Sequence, residues 1–128
     1  MKKKRFFIIA IILFIVFALS YASARVRIDG LMAELSALLL SPDTNYSQDY
    51  THEGFDQITE GMSEQEVLEL IGEPLKLWNP YKYGFHPEKA DYYAFVYSES
   101  PTFTHYRLRQ VILEDGIVKE IRGYFYVD

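Results

Sequence analysis

The chain has 128 residues, enough for one domain preceded by an N-terminal targeting element. Residues 25–128 carry nine basic and 18 acidic residues, a formal charge of −9, without a cluster of lysine or arginine. Because nucleic-acid binding needs a positive patch, this composition argues against a nucleic-acid partner. The absence of cysteine excludes disulfides, thiolate metal sites, cysteine nucleophiles and the lipid-carrying cysteine of a bacterial lipoprotein.

The first 24 residues have the pattern of a segment that enters or crosses a membrane. Lys2–Arg5 is a basic cluster, and Phe6–Leu19 is an unbroken apolar run of 14 residues. The uncharged stretch 6–24 has 19 residues, about 28 Å as a helix, close to the roughly 30 Å of a hydrocarbon core. We therefore predict membrane contact through residues 6–24. The basic cluster favours the cytoplasm, which predicts that the rest of the chain is exported.

Two interpretations of this segment remain open. A retained anchor gives a single-pass protein of the bacterial cell envelope, with a cytoplasmic N-terminus and an exported domain. A cleaved signal peptide ends in Ala22-Ser23-Ala24, which has the A-x-A form of a signal-peptidase site, and leaves a periplasmic or secreted domain. Arg25 and Arg27 favour retention, since positive charge just beyond an apolar run opposes export.

Residues 25–54 are predicted to form an amphipathic helix followed by a polar linker. Val26–Leu40 has apolar residues at helical spacing, with Gly30 as a weak point. These apolar residues are Ile28, Leu31, Met32, Leu35, Leu38 and Leu39. Ser41–Tyr50 is polar and is broken by Pro42, so we expect a linker or loop before a domain at residues 55–128.

A short helix is predicted over Ser63–Ile71. Ser63 as N-cap and Glu66 three residues later form a capping box, and the apolar residues beside them form a hydrophobic staple. Gly72 followed by Pro74 ends the helix. The residues of this structural motif are Gly61, Met62, Ser63, Glu66, Val67, Leu68, Ile71, Gly72 and Pro74, and its inner face consists of Val67, Leu68 and Ile71.

The second half of the chain is typical of antiparallel strands. Tyr92–Tyr97 is dense in strand formers, Phe103–Leu113 is a further strand, and a shorter one is expected at Leu75–Asn79. Asp115-Gly116 predicts a hairpin to a last strand. The buried positions predicted from parity are Tyr106, Leu108, Ile112, Ile117, Ile121, Phe125 and Val127. We therefore predict an α+β fold in which short helices pack on a three- to four-stranded antiparallel sheet, preceded by an N-terminal hydrophobic helix.

A longer pattern combines these helix and strand signals. It runs Phe55-x-x-Ile58-x-x-Gly61-Met62-Ser63-x-x-x-Val67-x-x-x-Ile71-Gly72-x-Pro74 and is followed by aromatic strands and the Asp-Gly hairpin. With it, residues 55–128 resemble the SmpA/OmlA (BamE-like) domain of small envelope lipoproteins. The resemblance implies a two-helix, three-stranded fold and a role as an envelope interaction module or assembly factor. The chain departs from that family because it lacks the lipid-carrying cysteine. We therefore expect either an N-terminal anchor instead of the lipid or a free soluble protein.

The sequence contains no catalytic signature, and we predict that the protein is not an enzyme and binds no metal or cofactor. The histidines His52, His86 and His105 lie far apart and lack the spacing of a zinc site. The helical carboxylates Glu64 and Glu66 suit a solvated face near a helix N-terminus. Hydrolase and phosphate-binding motifs are absent.

Aromatic residues are the remaining functional signal, since the chain has 11 tyrosines and nine phenylalanines. Tyrosine and tryptophan are enriched in protein interfaces, although the same side chains also cover sheets. The candidate interaction surface consists of Trp78, Tyr81, Tyr83, Phe85, Tyr124 and Tyr126. We predict an unidentified envelope protein as its partner. Two alternatives are a secreted proteinaceous enzyme inhibitor of similar helix-plus-sheet fold, which requires cleavage after Ala24, and a small-ligand binder or hydrolase, which requires a deep pocket.

Overall fold

The computed structural model describes residues 1–40, 43–102 and 104–127, with the backbone alone for residues 20–23. The predictions that involve Ser41, Pro42, Phe103 and Asp128, or the side chains of residues 22 and 23, lie outside the described residues. Within the described part of the chain, the predicted α+β class is confirmed, with an N-terminal helix ahead of a helix-and-sheet unit.

The elements follow the predicted order of helices first and strands later, apart from one early strand. The helices are α1 (Lys2–Asp29), α2 (Leu31–Leu40), α3 (His52–Asp56) and α4 (Glu64–Ile71), and a 3-10 turn spans Pro87–Lys89. The strands are β1 (Asn45–Tyr46), β2 (Lys76–Trp78), β3 (Tyr93–Val96), β4 (Ser98–Glu99), β5 (Tyr106–Glu114) and β6 (Ile117–Tyr126). They form an antiparallel sheet of order β2-β3-β5-β6 and a small sheet of β1 and β4.

Helix α1 ends at Gly30, and α2 begins at the next residue. Gly30 has φ of 92°, in the left-handed region that glycine adopts easily, and its N–H donates to the carbonyl of Val26 at 2.9 Å. The helix predicted over Val26–Leu40 is therefore divided in two at its weak point. No helix within the described ranges has the length and apolar character that a membrane crossing requires.

Helix α4 contains the predicted capping box. The Ser63 hydroxyl accepts from the N–H of Glu66 at 3.2 Å, and the Glu66 carboxylate accepts from the N–H of Ser63 at 2.7 Å. Val67 and Ile71 are fully buried in the core, whereas Leu68 is only partly buried. These local signals therefore determine both ends of α4 and which face contacts the sheet.

Removal of this cap gives a stability prediction. We expect Ser63→Ala to lower the free energy of unfolding by about 0.5–2 kcal/mol, because the N–H of Glu66 loses its acceptor. Urea denaturation followed by circular dichroism measures the change. Ser63→Asp, which retains an acceptor at the N-cap, is the control and should stay close to the parent. Equal losses in both variants would contradict the capping role.

Strand β5 is buried on both faces, which differs from the half-buried strand predicted from its parity. Its seven central residues, from 107 to 113, are all buried. One face carries Val111 and Leu113 against the helices. The opposite face carries Leu108 and Ile112. Because β5 is central in the sheet and has both faces covered, an alternation of apolar and polar residues is not required of it.

Strand β6 contains a bulge that reverses the predicted parity of its first residues. Ile112 pairs with Glu120, but Leu113 pairs with Val118, which leaves Lys119 as an extra residue. An extra residue in one strand places the side chains before it on the opposite face of the sheet from the one that simple alternation predicts. Val118 is therefore buried and Ile117 is exposed, contrary to the prediction.

The stretch predicted as a linker between the N-terminal helix and the domain packs against the domain in its described part, residues 43–50. Tyr46 in β1 pairs with Ser98 in β4, and the N–H of Ser47 donates to the carbonyl of Tyr97 at 3.0 Å. Tyr50 packs against the core. Two paired residues are too few to give a strand periodicity in the sequence, so the polar composition alone was misleading.

Candidate functional site

Two arginines of β5 lie under the N-terminal helices. Arg107 and Arg109 flank Leu108 in the strand, so their side chains share the face on which the helices pack. Asp29 at the end of α1 and Glu34 in the first turn of α2 bind them. We call these four residues the arginine cluster. It joins the sheet to both N-terminal helices.

The hydrogen bonds of the arginine cluster are short and charge-assisted. Two nitrogens of Arg109 donate to the two carboxylate oxygens of Asp29, each at 2.7 Å. Arg107 donates to Asp29 at 2.6 Å and also to the carboxylate of Glu34. The Nε of Arg109 donates to the hydroxyl of Tyr50 at 2.8 Å. The side chains of Asp29 and Arg109 are both 0% exposed, so these bonds lie away from water.

Electrostatics keep both arginines of the cluster positively charged. Burial lowers the pKa of Arg109, but hydrogen bonds and charge from Asp29 raise it more, so the net pKa shift is upward. For Arg107 burial lowers the pKa, but the hydrogen bonds that it donates to Glu34 and Asp29 raise it more, so the net pKa shift is also upward. Two cations face two anions, and each charge stabilises its partners in a site of low polarity. The two charged arginines therefore form a fixed attachment point for α1 and α2 on the sheet.

A glycine in β6 permits the close packing of α1 beside this cluster. Gly123 lies opposite Arg109 in the sheet. A Cβ at this position would lie 2.6 Å from Ile28 of α1 and 2.8 Å from the ring of Phe55 in α3. Only glycine allows both side chains to approach the backbone this closely. The end of α1 is thus held by packing as well as by charge.

An open crevice of about 390 Å³ lies next to the cluster, between α2 and the small sheet. It is lined by Arg25, Glu34, Ala37, Leu38, Thr44, Tyr46, His52 and Arg107. In its wall the ring of Tyr46 stacks on that of Tyr50 at 4.8 Å, and His52 contacts both rings edge-on. Its polar groups are largely bonded to one another, and the crevice is open rather than deep.

The partly buried His52 gives a pH prediction. Burial, followed by the positive charge of Arg109, lowers its pKa from 6.5 to about 4, so the folded state disfavours the protonated ring. An unfolded chain takes up this proton at higher pH. The folded state therefore has its full stability with respect to His52 above pH 6.5. It loses stability as the pH falls toward 4, because the unfolded chain binds the proton more readily. We expect His52→Gln to flatten the pH dependence of urea midpoints between pH 7 and 4. An unchanged slope would contradict this environment for His52.

Comparisons of this chain with protein-family models, with curated proteins and with solved structures found no match. The resemblance to the SmpA/OmlA domain therefore stays a prediction. Over the described residues, no group of three or more histidine, aspartate or glutamate side chains is arranged to hold a metal ion.

The predicted aromatic surface is divided by the structure into bonded and exposed side chains. Tyr81 is bonded: its hydroxyl donates to Glu120 at 2.6 Å and accepts from Arg122 at 3.0 Å. Its ring contacts Tyr92 edge-on, and the ammonium of Lys89 lies 4.8 Å from its centroid. Tyr81 therefore attaches the segment after β2 to the sheet face opposite the helices, which is the covering role weighed as the alternative.

The other residues of this segment are exposed. Phe85 is 100% exposed and Tyr83 is 90% exposed, while Trp78 in β2 is about half exposed. Since Tyr81 fixes the segment after β2, the rings of Tyr83 and Phe85 are presented to solvent by an anchored loop, and that of Trp78 by the strand before it. A large apolar side chain at full exposure adds nothing to the core, which favours a role in binding.

Tyr124 and Tyr126 lie on the same sheet face as Glu120 and Arg122, which bind the hydroxyl of Tyr81. In the register with β5, Tyr124 is opposite Leu108 and Tyr126 is opposite Tyr106, and both tyrosines are partly exposed. Trp78 shares this face through its pairing with Ala94 of β3. The structure thus places Trp78, Tyr81, Tyr124 and Tyr126 on one face. Tyr83 and Phe85 belong to the loop that Tyr81 attaches to it.

The sequence prediction did not include the arginine cluster. Its one sequence signal is the Arg-x-Arg spacing inside an apolar strand, which places two charges on a single face. The carboxylates that neutralise those charges lie in the segment predicted as a separate amphipathic helix. Arg107 and Asp29 are 78 residues apart in sequence, so no local pattern connects them.

Proposed function

We propose that the protein is a non-enzymatic interaction module that helix α1 holds at a membrane of the cell envelope. Its domain binds another envelope protein through the exposed aromatic side chains. In this arrangement Lys2–Arg5 stay on the cytoplasmic side, residues 6–24 lie in lipid and the domain is on the exported side. The proposal rests on sequence patterns and surface chemistry.

The observation that carries the binding role is the exposure of Trp78 in β2, and of Tyr83 and Phe85 on the segment that Tyr81 fixes to the sheet. Rigid aromatic side chains lose little conformational entropy on binding and bury large areas, so they commonly dominate the energy of an interface. A segment that is already fixed also avoids the entropy cost of ordering a loop.

The observation that supports the membrane location is the exposure of the large apolar side chains along Phe6–Leu19. The same helix ends in Asp29, which the arginine cluster binds in the domain. Lipid around the first part of α1 would remove these side chains from water, at about 25 cal/mol per Å² of apolar area. The buried attachment at Asp29 would then fix the orientation of the aromatic surface relative to the membrane.

Capture of a partner from detergent-solubilised envelope tests the binding role. We expect the full chain to recover a stoichiometric partner and the double variant Trp78→Ala/Phe85→Ala to recover at least about tenfold less, equivalent to roughly 1.4 kcal/mol. Both residues are exposed, so the domain should stay folded. Gln65→Ala, on the exposed face of α4, is the matched control. Equal recovery by the double variant, or no stoichiometric partner for any chain, would contradict the proposal.

A further inference from the structure

Helix α2 has an apolar face that the domain does not cover. None of its residues is buried, and Leu38 and Leu39 are 80% and 87% exposed. Its exposed apolar side chains are Leu31, Met32, Leu35, Leu38, Leu39 and Leu40. The polar contact of α2 with the domain is made by Glu34, which binds Arg107. The helix is thus attached by one polar residue and turns its leucines outward.

The direction of α2 brings this apolar face back toward the membrane half of α1. Had the two helices continued as one, Arg25 and Leu38 would be separated by about 20 Å, at 1.5 Å per residue. In the structure both line the same crevice, because the chain turns at Gly30. Arg25 is only six residues beyond Leu19, or about 9 Å along α1. The end of α2 therefore lies near the level at which the apolar run of α1 ends.

We infer that the C-terminal part of α2 contacts the lipid surface, with Leu38 and Leu39 inserted at the boundary between headgroups and acyl chains. The inference rests on the proposed membrane location of α1 and extends it to a second contact. Contiguous apolar surfaces of this extent are uncommon on soluble monomers, and an amphipathic helix beside a lipid-embedded segment is covered by the same lipid.

Charge supports a lipid surface as the occupant. Residues 25–128 have a formal charge of −9, yet Arg25 of α1 lies at the crevice beside the end of α2, whereas Arg27 is paired with Asp56 at 2.6 Å. A cation at the level of Arg25 suits anionic headgroups, which would repel most of the remaining domain surface. Two contacts with the membrane, α1 and α2, would also restrict rotation of the domain about the axis of α1.

Single-cysteine labelling tests this arrangement, since the chain contains no native cysteine. Leu39→Cys in α2, Phe14→Cys in α1 and Gln65→Cys in α4 each receive an environment-sensitive nitrobenzoxadiazole label. The full-length variants are reconstituted into vesicles of phosphatidylcholine and phosphatidylglycerol. We expect labels at positions 39 and 14 to be quenched by doxyl lipids and protected from aqueous iodide. The label at position 65 should show the opposite behaviour. All three positions are exposed, so the labels should not disturb the core.

Each other result has a distinct meaning. A lipid-embedded label at position 14 with an iodide-accessible label at position 39 would overturn the inference and leave the proposed attachment through α1 intact. Protection of position 39 from both quenchers would also overturn it, because a second copy of the chain would then cover α2. Iodide access at position 14 would overturn the inference together with the membrane location on which it rests.

Discussion

Replacing Asp29 by asparagine should lower the free energy of unfolding by about 3–5 kcal/mol, because it leaves buried positive charge without its anion. Asp29 is 0% exposed and accepts from both arginines of the cluster. Asparagine has nearly the same volume, so the loss measures charge rather than packing. Urea denaturation of the full chain in mild detergent, followed by circular dichroism, measures the change.

Three comparisons define this test. Asp91→Asn, at an exposed position, should remain within about 0.5 kcal/mol of the parent. Glu34→Gln should lose less than Asp29→Asn, since Glu34 binds Arg107 alone and is partly exposed. In the double variant Asp29→Asn/Arg109→Met, removal of one uncompensated cation should recover part of the loss. An Asp29→Asn variant as stable as Asp91→Asn would contradict the attachment of α1 to the sheet.

The second large effect is expected for Ile71→Ala, at about 2–5 kcal/mol. Ile71 is fully buried between α4 and the sheet, and its γ-methyl group also lies near the backbone of Gly54 in α3. Truncation removes apolar contacts between Ile71 and both helices. It leaves a cavity between α4 and the four-stranded sheet, because the surrounding structure relaxes only partially. The same denaturation experiment measures the loss.

Leu68→Ala is the matched variant for this second prediction. The sequence placed Leu68 on the inner face with Ile71, but in the structure Leu68 is only partly buried. The loss of free energy should therefore be clearly smaller than for Ile71→Ala. A larger loss at position 68 than at position 71 would mean that α4 is rotated relative to the sheet.

Structural features that depend on residues close in sequence could be predicted from the sequence. The capping box of α4 depends on Ser63 and Glu66 alone, and the hairpin between β5 and β6 depends on Asp115 and Gly116. In each case the interacting groups lie within a few residues, so the pattern contains the whole interaction. The α+β class follows from the order of such local patterns.

Structural features that depend on residues far apart in the sequence could not be predicted from it. The bulge at Lys119 depends on how β6 pairs with β5, and one inserted residue reversed the predicted parity of Ile117 and Val118. The attachment of α1 depends on Asp29 meeting Arg109, 80 residues later. A buried carboxylate on the polar face of a predicted amphipathic helix has no local signature, and for this reason residues 25–54 were predicted as separate from the domain.

The sequence predicted which residues belong to the candidate aromatic surface, but it did not predict which of them are bonded and which are exposed. Composition identified Tyr81 and Phe85 as equivalent members of one surface. The structure separates them, since Tyr81 binds Glu120 and Phe85 is fully exposed. That distinction depends on a contact across 39 residues, and it determines which side chains a binding experiment should change.

Mass spectrometry of the mature protein in membrane and soluble fractions shows whether the N-terminal helix holds the proposed module at the membrane. We expect an intact chain beginning at or near Met1, found in the membrane fraction. A chain beginning at Arg25 and found in the soluble fraction would contradict this expectation and would favour a secreted domain, the form that the inhibitor alternative requires.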